Sequence, residues 1–160
     1  MRIFTSADEL LSSVGERLGH SAWRLVEQDR INGFAEVTED RQWIHVDAAR
    51  AGDGPYGKPV AHGYLTLALS TVMLAEVFRV DGVGMMINKG LDRVRFHRPV
   101  PAGARIRIVA DLASAKQRPR GFTEAAIDIT AEIEGDKHPV FGARSLQLFH
   151  TTIDAGADNE

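Results

Sequence analysis

Residues 61–78 read A-H-G-Y-L-T-L-A-L-S-T-V-M-L-A-E-V-F, and this stretch decides the fold. After the small and polar opening Ala61-His62-Gly63, apolar side chains fall on most sides of a helix from Tyr64 to Phe78. The run is shorter than the roughly 20 residues that a membrane-spanning helix needs. A helix that is apolar nearly all round has to be surrounded by protein. We therefore predict one long core helix over residues 64–78.

The chain that follows this helix is typical of strands joined by short turns. Apolar and polar residues alternate most clearly over residues 104–115 and 121–134, and two more strands are predicted over 85–96 and 140–150. Consecutive strands with short turns form a mostly antiparallel sheet. Such a sheet has to curve around the helix and still leaves a face open, so a second copy of the chain is expected to cover it.

Shorter elements are predicted before the helix. Ser6 and Glu9 have the spacing of a capping box at the start of a helix, and Asp47 is placed to cap a short helix over residues 48–51. The remaining predictions are a strand over residues 21–26, a helix over 27–37 and a loop over 52–59, where glycine and proline accumulate.

Composition limits the classes of protein to which the chain can belong. Its 160 residues, 44% hydrophobic and 26% charged, fit one globular domain, which we place at residues 1–153 with a flexible tail over 154–160. A net charge of -3 gives no general attraction to nucleic acid or to acidic membranes. With no cysteine, disulfides, thiolate metal sites and cysteine nucleophiles are excluded. This composition is consistent with a reducing compartment, and we expect a cytoplasmic protein.

A second segment, D-R-Q-W-I-H from Asp40 to His45, brings a carboxylate and an imidazole close together in sequence. These two groups are the ones most often used in general acid–base catalysis. Gly63, at the start of the core helix, offers a backbone N–H that can stabilise developing negative charge. The other histidines lie at no spacing that is typical of metal ligands, so no metal site is predicted.

Three ordered blocks of sequence resemble the MaoC-like hydratase/dehydratase family. The first is the aspartate, four residues, histidine pattern of Asp40 and His45, followed by x-Asp at Asp47. The second is A-H-G-Y-L over residues 61–65, and the third is N-K-G-L-D-R-V-R-F over residues 88–96, which precedes a P-V-P-A-G turn. The likeness extends over residues 23–149 and is greatest to the single-domain (R)-specific enoyl-CoA hydratases.

This resemblance implies an α+β hot-dog fold, in which a curved, mostly antiparallel sheet wraps one long central helix. It implies hydration of a trans-2-enoyl-CoA to an (R)-3-hydroxyacyl-CoA, with Asp40 and His45 as catalytic residues and the N–H of Gly63 as oxyanion donor. No cofactor is expected, since coenzyme A is part of the substrate, and a homodimer is expected. Two positions depart from the family pattern: Glu39 stands where many members have glycine, and Lys89 where an aromatic residue is frequent.

Four further residues are possible supporting groups, each with a structural alternative. The resemblance implies that Ser70 or Thr71 hydrogen-bonds Asp40, but buried serine and threonine commonly bond to a helix carbonyl instead. Asn88 would orient substrate or lie as an amide at a strand edge, and Tyr56 would line the mouth of an acyl tunnel or pack on a neighbour. We interpret His62 as a helix cap or packing residue rather than a catalyst.

Arginines recur along two of the predicted strands and allow two interpretations. They would form a groove for the phosphates of coenzyme A, or they are the solvated face of alternating strands, which is the interpretation we favour. The positions are Arg93, Arg95, His97, Arg98, Arg105 and Arg107. No stacking pattern of aromatic residues accompanies them, so nucleic acid binding is not predicted.

Two rival functions remain open at this point. A hot-dog thioesterase would hydrolyse the thioester, and such enzymes usually place an acid on the central helix, where this chain offers only Glu76. A non-catalytic acyl-binding subunit would keep the fold without turnover. The intact set of Asp40, His45 and Gly63 favours the hydratase.

Overall fold

The computed structural model describes residues 1–151. The predicted tail over residues 154–160, and the last two residues of the predicted domain, lie outside this range. No helix in the described range is long and apolar enough to cross a membrane.

Short elements fill the first part of the chain. They are β1 (Arg2–Phe4), α1 (Ala7–Ser12), β2 (Arg17–His20), β3 (Arg24–Val26), α2 (Gln28–Thr38), α3 (Trp43–Val46) and α4 (Ala48–Gly52). The predicted caps of α1 and α4 are confirmed, because the Ser6 side chain accepts from the N–H of Glu9 and the Asp47 side chain accepts from the N–H of Arg50. The strand predicted over residues 21–26 is shorter than expected, and β1, β2 and α3 were not predicted.

The second part contains the long elements. They are α5 (Gly63–Val77), β4 (Phe78–Val80), β5 (Val83–Phe96), β6 (Ala104–Arg118), β7 (Phe122–Ile133) and β8 (Pro139–Thr151). The predicted core helix and all four long strands are confirmed to within a few residues. Only the three-residue β4, which pairs in parallel with β1, was not predicted here.

The main sheet is antiparallel throughout, with the order β2-β6-β7-β8-β5 and with β3 also paired to β6. Alternate residues of β6, such as Ile106 and Ile108, are fully buried against the core, where Met73 of α5 is equally buried. A mostly antiparallel sheet packed on one long helix is the predicted hot-dog fold, which is confirmed.

Residues 1–151 do not cover helix α5 on every side. Leu65, Leu69 and Met73 are buried, but a stripe along the opposite face is exposed. We call this stripe the α5 face, and it consists of Tyr64, Ala68, Thr71, Val72 and Ala75. Beside it, β5 forms one edge of the sheet and is exposed over nearly its whole length. A single chain therefore leaves an apolar helix face and a free strand edge next to each other.

Candidate active site

The two segments that carry the predicted acid–base groups are tied together by backbone and side-chain hydrogen bonds. His45 lies on α3, and its Nδ1 is 2.6 Å from the carbonyl oxygen of Val60, just before α5. The N–H of Val60 in turn donates to the carbonyl of Ile44 at 3.0 Å. From α2, Nε2 of Gln28 donates to the carbonyl of His45 at 2.7 Å. The short helix is thereby fixed against the start of the long one.

The contact with Val60 determines the tautomer of His45. A carbonyl oxygen can only accept, so Nδ1 carries the proton and Nε2 of the neutral ring has a free lone pair. Burial lowers the pKa of His45 below its ordinary value, because a buried imidazolium loses solvation. Near neutral pH, this side chain is a neutral base with its acceptor nitrogen available.

Asp40 lies in the loop between α2 and α3, and its carboxylate comes close to His45. A carboxylate oxygen of Asp40 and a ring nitrogen from each of His45 and His62 all lie within 4.8 Å of one another. A separation of this size between two acceptors is one that a single water molecule can bridge. The Asp40 side chain is 54% exposed, so the space beside it is open to solvent and to a ligand.

His62 holds this arrangement together. Its Nε2 donates to the backbone carbonyl of Asp40 at 2.9 Å, and its ring stacks on that of His45 with centroids 3.7 Å apart. The ring of Phe34 packs on its other side at 5.0 Å. His62 is the N-cap residue of α5, as one of the two interpretations expected, but its side chain makes no capping hydrogen bond and packs between other rings instead.

The same three side chains are the one cluster within residues 1–151 with enough nearby donor atoms to consider as a metal site. Imidazole lone pairs lie in the plane of the ring, and the rings of His45 and His62 stack at an interplanar angle of 25°. Their lone pairs therefore do not converge on one point. One nitrogen of each ring is also engaged with a backbone carbonyl. The arrangement suits a bound water better than the three converging protein ligands of a catalytic zinc.

A cleft of about 340 Å³ opens beside His45. Gly63 and Thr66 at the start of α5 form one wall, Phe96 another, and Tyr56 lies at its exposed margin. We call this space the His45 cleft. The N–H of Gly63 is in the first turn of α5, where backbone donors have no partner within the helix. A Cβ at this position would come within 3.1 Å of the Phe96 ring, so only glycine leaves the wall of the cleft undisturbed.

Ser70, Thr71 and Asn88 line a different hollow, of about 350 Å³, between α5 and β5. The hydroxyl of Ser70 donates to the carbonyl of Leu67 at 2.6 Å, which is the alternative named for buried serine. Among residues 1–151, neither Ser70 nor Thr71 makes a hydrogen bond to Asp40, and for Ser70 the structural alternative is the one observed.

Most of the arginines on the strands pair with acidic residues of neighbouring strands or turns. Arg105 pairs with Glu134 at 3.1 Å, Arg107 with Glu132 at 2.9 Å, and Arg98 with Asp136. This pairing agrees with a solvated strand face and leaves less free positive charge than a phosphate groove would need.

Three groups that shape the site have weak signals in the sequence. The carbonyl of Val60 is a backbone atom, and no side chain identifies it. Gln28 looks like an ordinary surface residue of α2, and although Phe96 ends the third sequence block, nothing in the sequence indicates that its ring lines the cleft. His62 does belong to the A-H-G block, but its contact with Asp40 depends on a loop conformation that periodicity does not show.

Comparisons with known proteins show a family model, a curated relative and solved structures that the chain resembles. The profile of the family described as "MaoC like domain" matches residues 9–135. The 3-hydroxyacyl-thioester dehydratase Z of Mycobacterium tuberculosis is 41% identical to the chain over 146 residues, which cover 91% of this chain and 97% of that protein.

Two solved structures share the fold. The R-hydratase PhaJ1 from Pseudomonas aeruginosa, in its unliganded form, aligns with a TM-score of 0.73 and 22% identity over 93% of this chain and 88% of the other. The C-terminally truncated HadBC (3R-hydroxyacyl-ACP dehydratase) complex of Mycobacterium tuberculosis aligns with a TM-score of 0.71 and 22% identity over 85% of this chain and 96% of the other.

Proposed function

Because the chain belongs to the family of MaoC-like domains, we propose that it is a hydro-lyase that interconverts a trans-2-enoyl thioester and a 3-hydroxyacyl thioester. The observation that carries the proposal is the proximity of the Asp40 carboxylate to His45, together with the cleft that His45 and Gly63 both line. The proposed substrate is a 2-enoyl-CoA of fatty-acid-type metabolism, and the proposed product is the (R)-3-hydroxyacyl-CoA.

The geometry supports a mechanism in which one water is held by two acceptors. The water donates one hydrogen bond to Asp40 and one to Nε2 of His45, and its lone pair is directed at the β-carbon of the substrate. As the C–O bond forms, one of the two acceptors takes a proton from the water. The electron pair of the double bond moves onto the thioester oxygen, which the N–H of Gly63 stabilises. The acceptor then returns the proton to the α-carbon, so that water has been added overall.

No cofactor is proposed for this reaction. The carbonyl of a thioester already withdraws electrons from the conjugated double bond, and the β-carbon is electrophilic without further activation. The enzyme has to orient water, remove a proton and stabilise charge on oxygen, and Asp40, His45 and Gly63 would supply these three functions.

The thioesterase is less well supported. Its expected acid, Glu76, forms an ion pair with Arg24 and accepts a hydrogen bond from the N–H of Ala22 at 3.2 Å. Glu76 lies in the fourth turn of α5 and does not line the His45 cleft. A carboxylate held in this way is a structural group rather than a nucleophile or base.

We also propose that two chains assemble along β5 and the α5 face. The exposed side chains of β5 include Met85, Met86, Ile87 and Leu91, and an apolar free edge of this length is a template for another strand. A homodimer is the proposed assembly. The alternative is a complex with a related second chain, and the HadBC structure is a complex of this kind by its name.

The proposed activity is tested by following the loss of enoyl-thioester absorbance with crotonyl-CoA and longer trans-2-enoyl-CoAs. Asp40→Asn and His45→Ala are expected to lower kcat by roughly 100-fold or more, because each removes one acceptor of the attacking water. Asp53→Asn and His138→Ala are matched controls at exposed positions outside the cleft and should retain activity.

Two outcomes would oppose the hydratase. If the wild-type protein does not lower the enoyl-thioester absorbance of a trans-2-enoyl-CoA of any chain length, the proposed activity is wrong. If free thiol appears in the same assay in proportion to the lost thioester, hydrolysis replaces hydration and the thioesterase is favoured.

A further inference from the structure

Gln147 is a buried amide without a hydrogen-bond partner. The residue lies on β8 and is only 1% exposed, yet neither its Nε2 nor its Oε1 has a partner among residues 1–151. On the same strand, Ser145 and Phe149 are also buried, so this face of β8 is directed at the core. Burying an amide without a hydrogen-bond partner destabilises the folded protein. We therefore expect such a group to bind a ligand or a water molecule.

Gln147 lines a hollow of about 240 Å³ that is otherwise mostly apolar. The remaining wall includes Leu74 of α5, Phe78 of β4, Met86 of β5 and Phe149 of β8. Leu74 is also a wall of the neighbouring hollow that contains Thr71 and Asn88. We call the two adjoining hollows together the α5 groove.

The α5 groove begins close to the His45 cleft. Tyr64, which follows the proposed oxyanion donor, lines its near end and packs edge-on against Phe96 of the cleft with ring centroids 6.0 Å apart. From Gly63 to Leu74 the helix rises about 16 Å, at roughly 1.5 Å per residue. A chain bound along the groove with its thioester at Gly63 would therefore reach the amide of Gln147 after a medium to long run of carbon atoms.

The polar residues of the groove could form no hydrogen bond with a purely alkyl chain. Asn88 is the cross-strand partner of Gln147, and Ser145 lies two residues before Gln147 on the same face of β8. An alkyl chain would leave the Gln147 amide unpaired after binding. A chain that carries an oxygen atom at this depth would pair with the amide and still fill the apolar walls.

We propose that the α5 groove selects acyl chains that carry a hydroxyl or carbonyl oxygen in their distal part, with the Gln147 amide as the group that recognises this oxygen. The inference rests on the proposed function, because the groove is taken to receive the acyl chain of the thioester that reacts in the His45 cleft. In the proposed assembly the partner chain would cover the outer side of the groove, along the α5 face and β5, and the acyl chain would lie beneath it. A site built to hydrogen-bond a substrate oxygen discriminates strongly against the analogue that lacks it, because its own polar group is then left unpaired.

The test compares pairs of trans-2-enoyl-CoAs of equal length, one with a terminal hydroxyl and one without, over a series of chain lengths. At the length that places the hydroxyl at Gln147, the wild-type protein is expected to favour the hydroxylated substrate by about tenfold in kcat/KM. In Gln147→Leu this preference is expected to disappear, because leucine offers no hydrogen-bonding group to the substrate oxygen. Gln117→Leu, at an exposed position on β6, is the matched control and should keep the wild-type preference.

The outcomes separate this inference from the proposed function. An equal preference in wild type and Gln147→Leu at every length overturns the role of Gln147 but leaves the hydratase intact. If no thioester is turned over, calorimetric binding of saturated acyl-CoAs with and without the hydroxyl gives the same comparison. Equal affinities in that titration show that the amide binds only water and overturn the inference.

Discussion

The imidazole rings of His45 and His62 stack with their centroids 3.7 Å apart, and the second ring also donates a hydrogen bond to the backbone of Asp40. One side chain thus fixes the position of both proposed catalytic groups. Misplacement of reacting groups by about 1 Å can lower a rate 100-fold. His62 is therefore a positioning residue, although it takes no part in the chemistry itself.

Replacing His62 tests this relationship. His62→Leu keeps a side chain in the space but removes the donor to Asp40, and we expect kcat to fall by roughly 10- to 100-fold with a smaller change in KM. His62→Gln restores a donor and should recover part of kcat. The two variants are compared with wild type by steady-state kinetics, and thermal unfolding shows that both fold. Equal kcat in His62→Leu and wild type would contradict the positioning role.

The burial of His45 predicts a pH dependence of stability. Because burial holds the pKa of folded His45 below about 6.5, the unfolded chain takes up the proton at a higher pH than the folded chain. The contribution of this residue is complete above about pH 6.5 and is lost as the pH falls toward the folded pKa. The free energy of unfolding should therefore decrease below pH 6.5, by at most about 1.4 kcal/mol per pH unit from this one group. Urea unfolding at several pH values should show a shallower decrease in His45→Gln, and identical slopes would oppose the assignment.

The contact between Gly63 and Phe96 gives a prediction that separates crowding from hydrogen bonding. Alanine at position 63 keeps the N–H but places a Cβ within 3.1 Å of the Phe96 ring. We expect Gly63→Ala to lower kcat/KM by roughly tenfold, because the helix start or the ring has to move across the cleft. Gly63→Ala combined with Phe96→Leu should restore most of this loss, since the donor is still present. A double variant as slow as the single one would show that the loss is not steric.

Patterning predicted much of the fold because it depends on side-chain periodicity. The alternation of buried Ile106 and Ile108 with paired Arg105 and Arg107 specifies β6 from the sequence alone, and the apolar run after Gly63 specifies α5. Short elements such as α3 have too few residues to show a period. They are held by backbone hydrogen bonds to distant segments, such as the one between Val60 and Ile44.

The candidate site was predictable only in part for the same reason. Asp40, His45 and Gly63 stand in recognisable sequence blocks; the structure brings Asp40 close to His45 and places His45 and Gly63 in the lining of one cleft. The support expected from Ser70 was wrong, because spacing along α5 does not show whether a hydroxyl bonds its own helix or a neighbouring loop. Gln147 has no signal in the sequence at all, since a glutamine within an alternating strand looks like a residue of the solvent face.

Glu39, which stands where many family members have glycine, leads to a prediction about the free energy of unfolding. Glu39 ends α2 with φ of 63°, in the left-handed region that costs a residue with a side chain roughly 1 kcal/mol. We expect Glu39→Gly to raise the free energy of unfolding by up to about 1 kcal/mol, less the entropy that glycine adds to the unfolded chain. Chemical denaturation makes the measurement. Glu36→Gly, within α2, is the matched control and should be destabilising by a similar amount, so a loss of stability in both variants would contradict the argument.

The exposed α5 face predicts how the assembly can be broken. Val72 lies in the middle of this face, between Ala68 and Ala75, and is 52% exposed in the single chain. Burying a carboxylate without a partner costs several kcal/mol, so Val72→Glu is expected to convert the proposed homodimer into monomers. Val37 on α2 is 80% exposed and lies outside the α5 face, so Val37→Glu adds the same charge as a control and should leave the dimer intact. Light scattering after size-exclusion chromatography gives the mass of each variant. A wild-type monomer would contradict the proposed assembly, and a Val72→Glu protein that remains dimeric would place the interface on another surface.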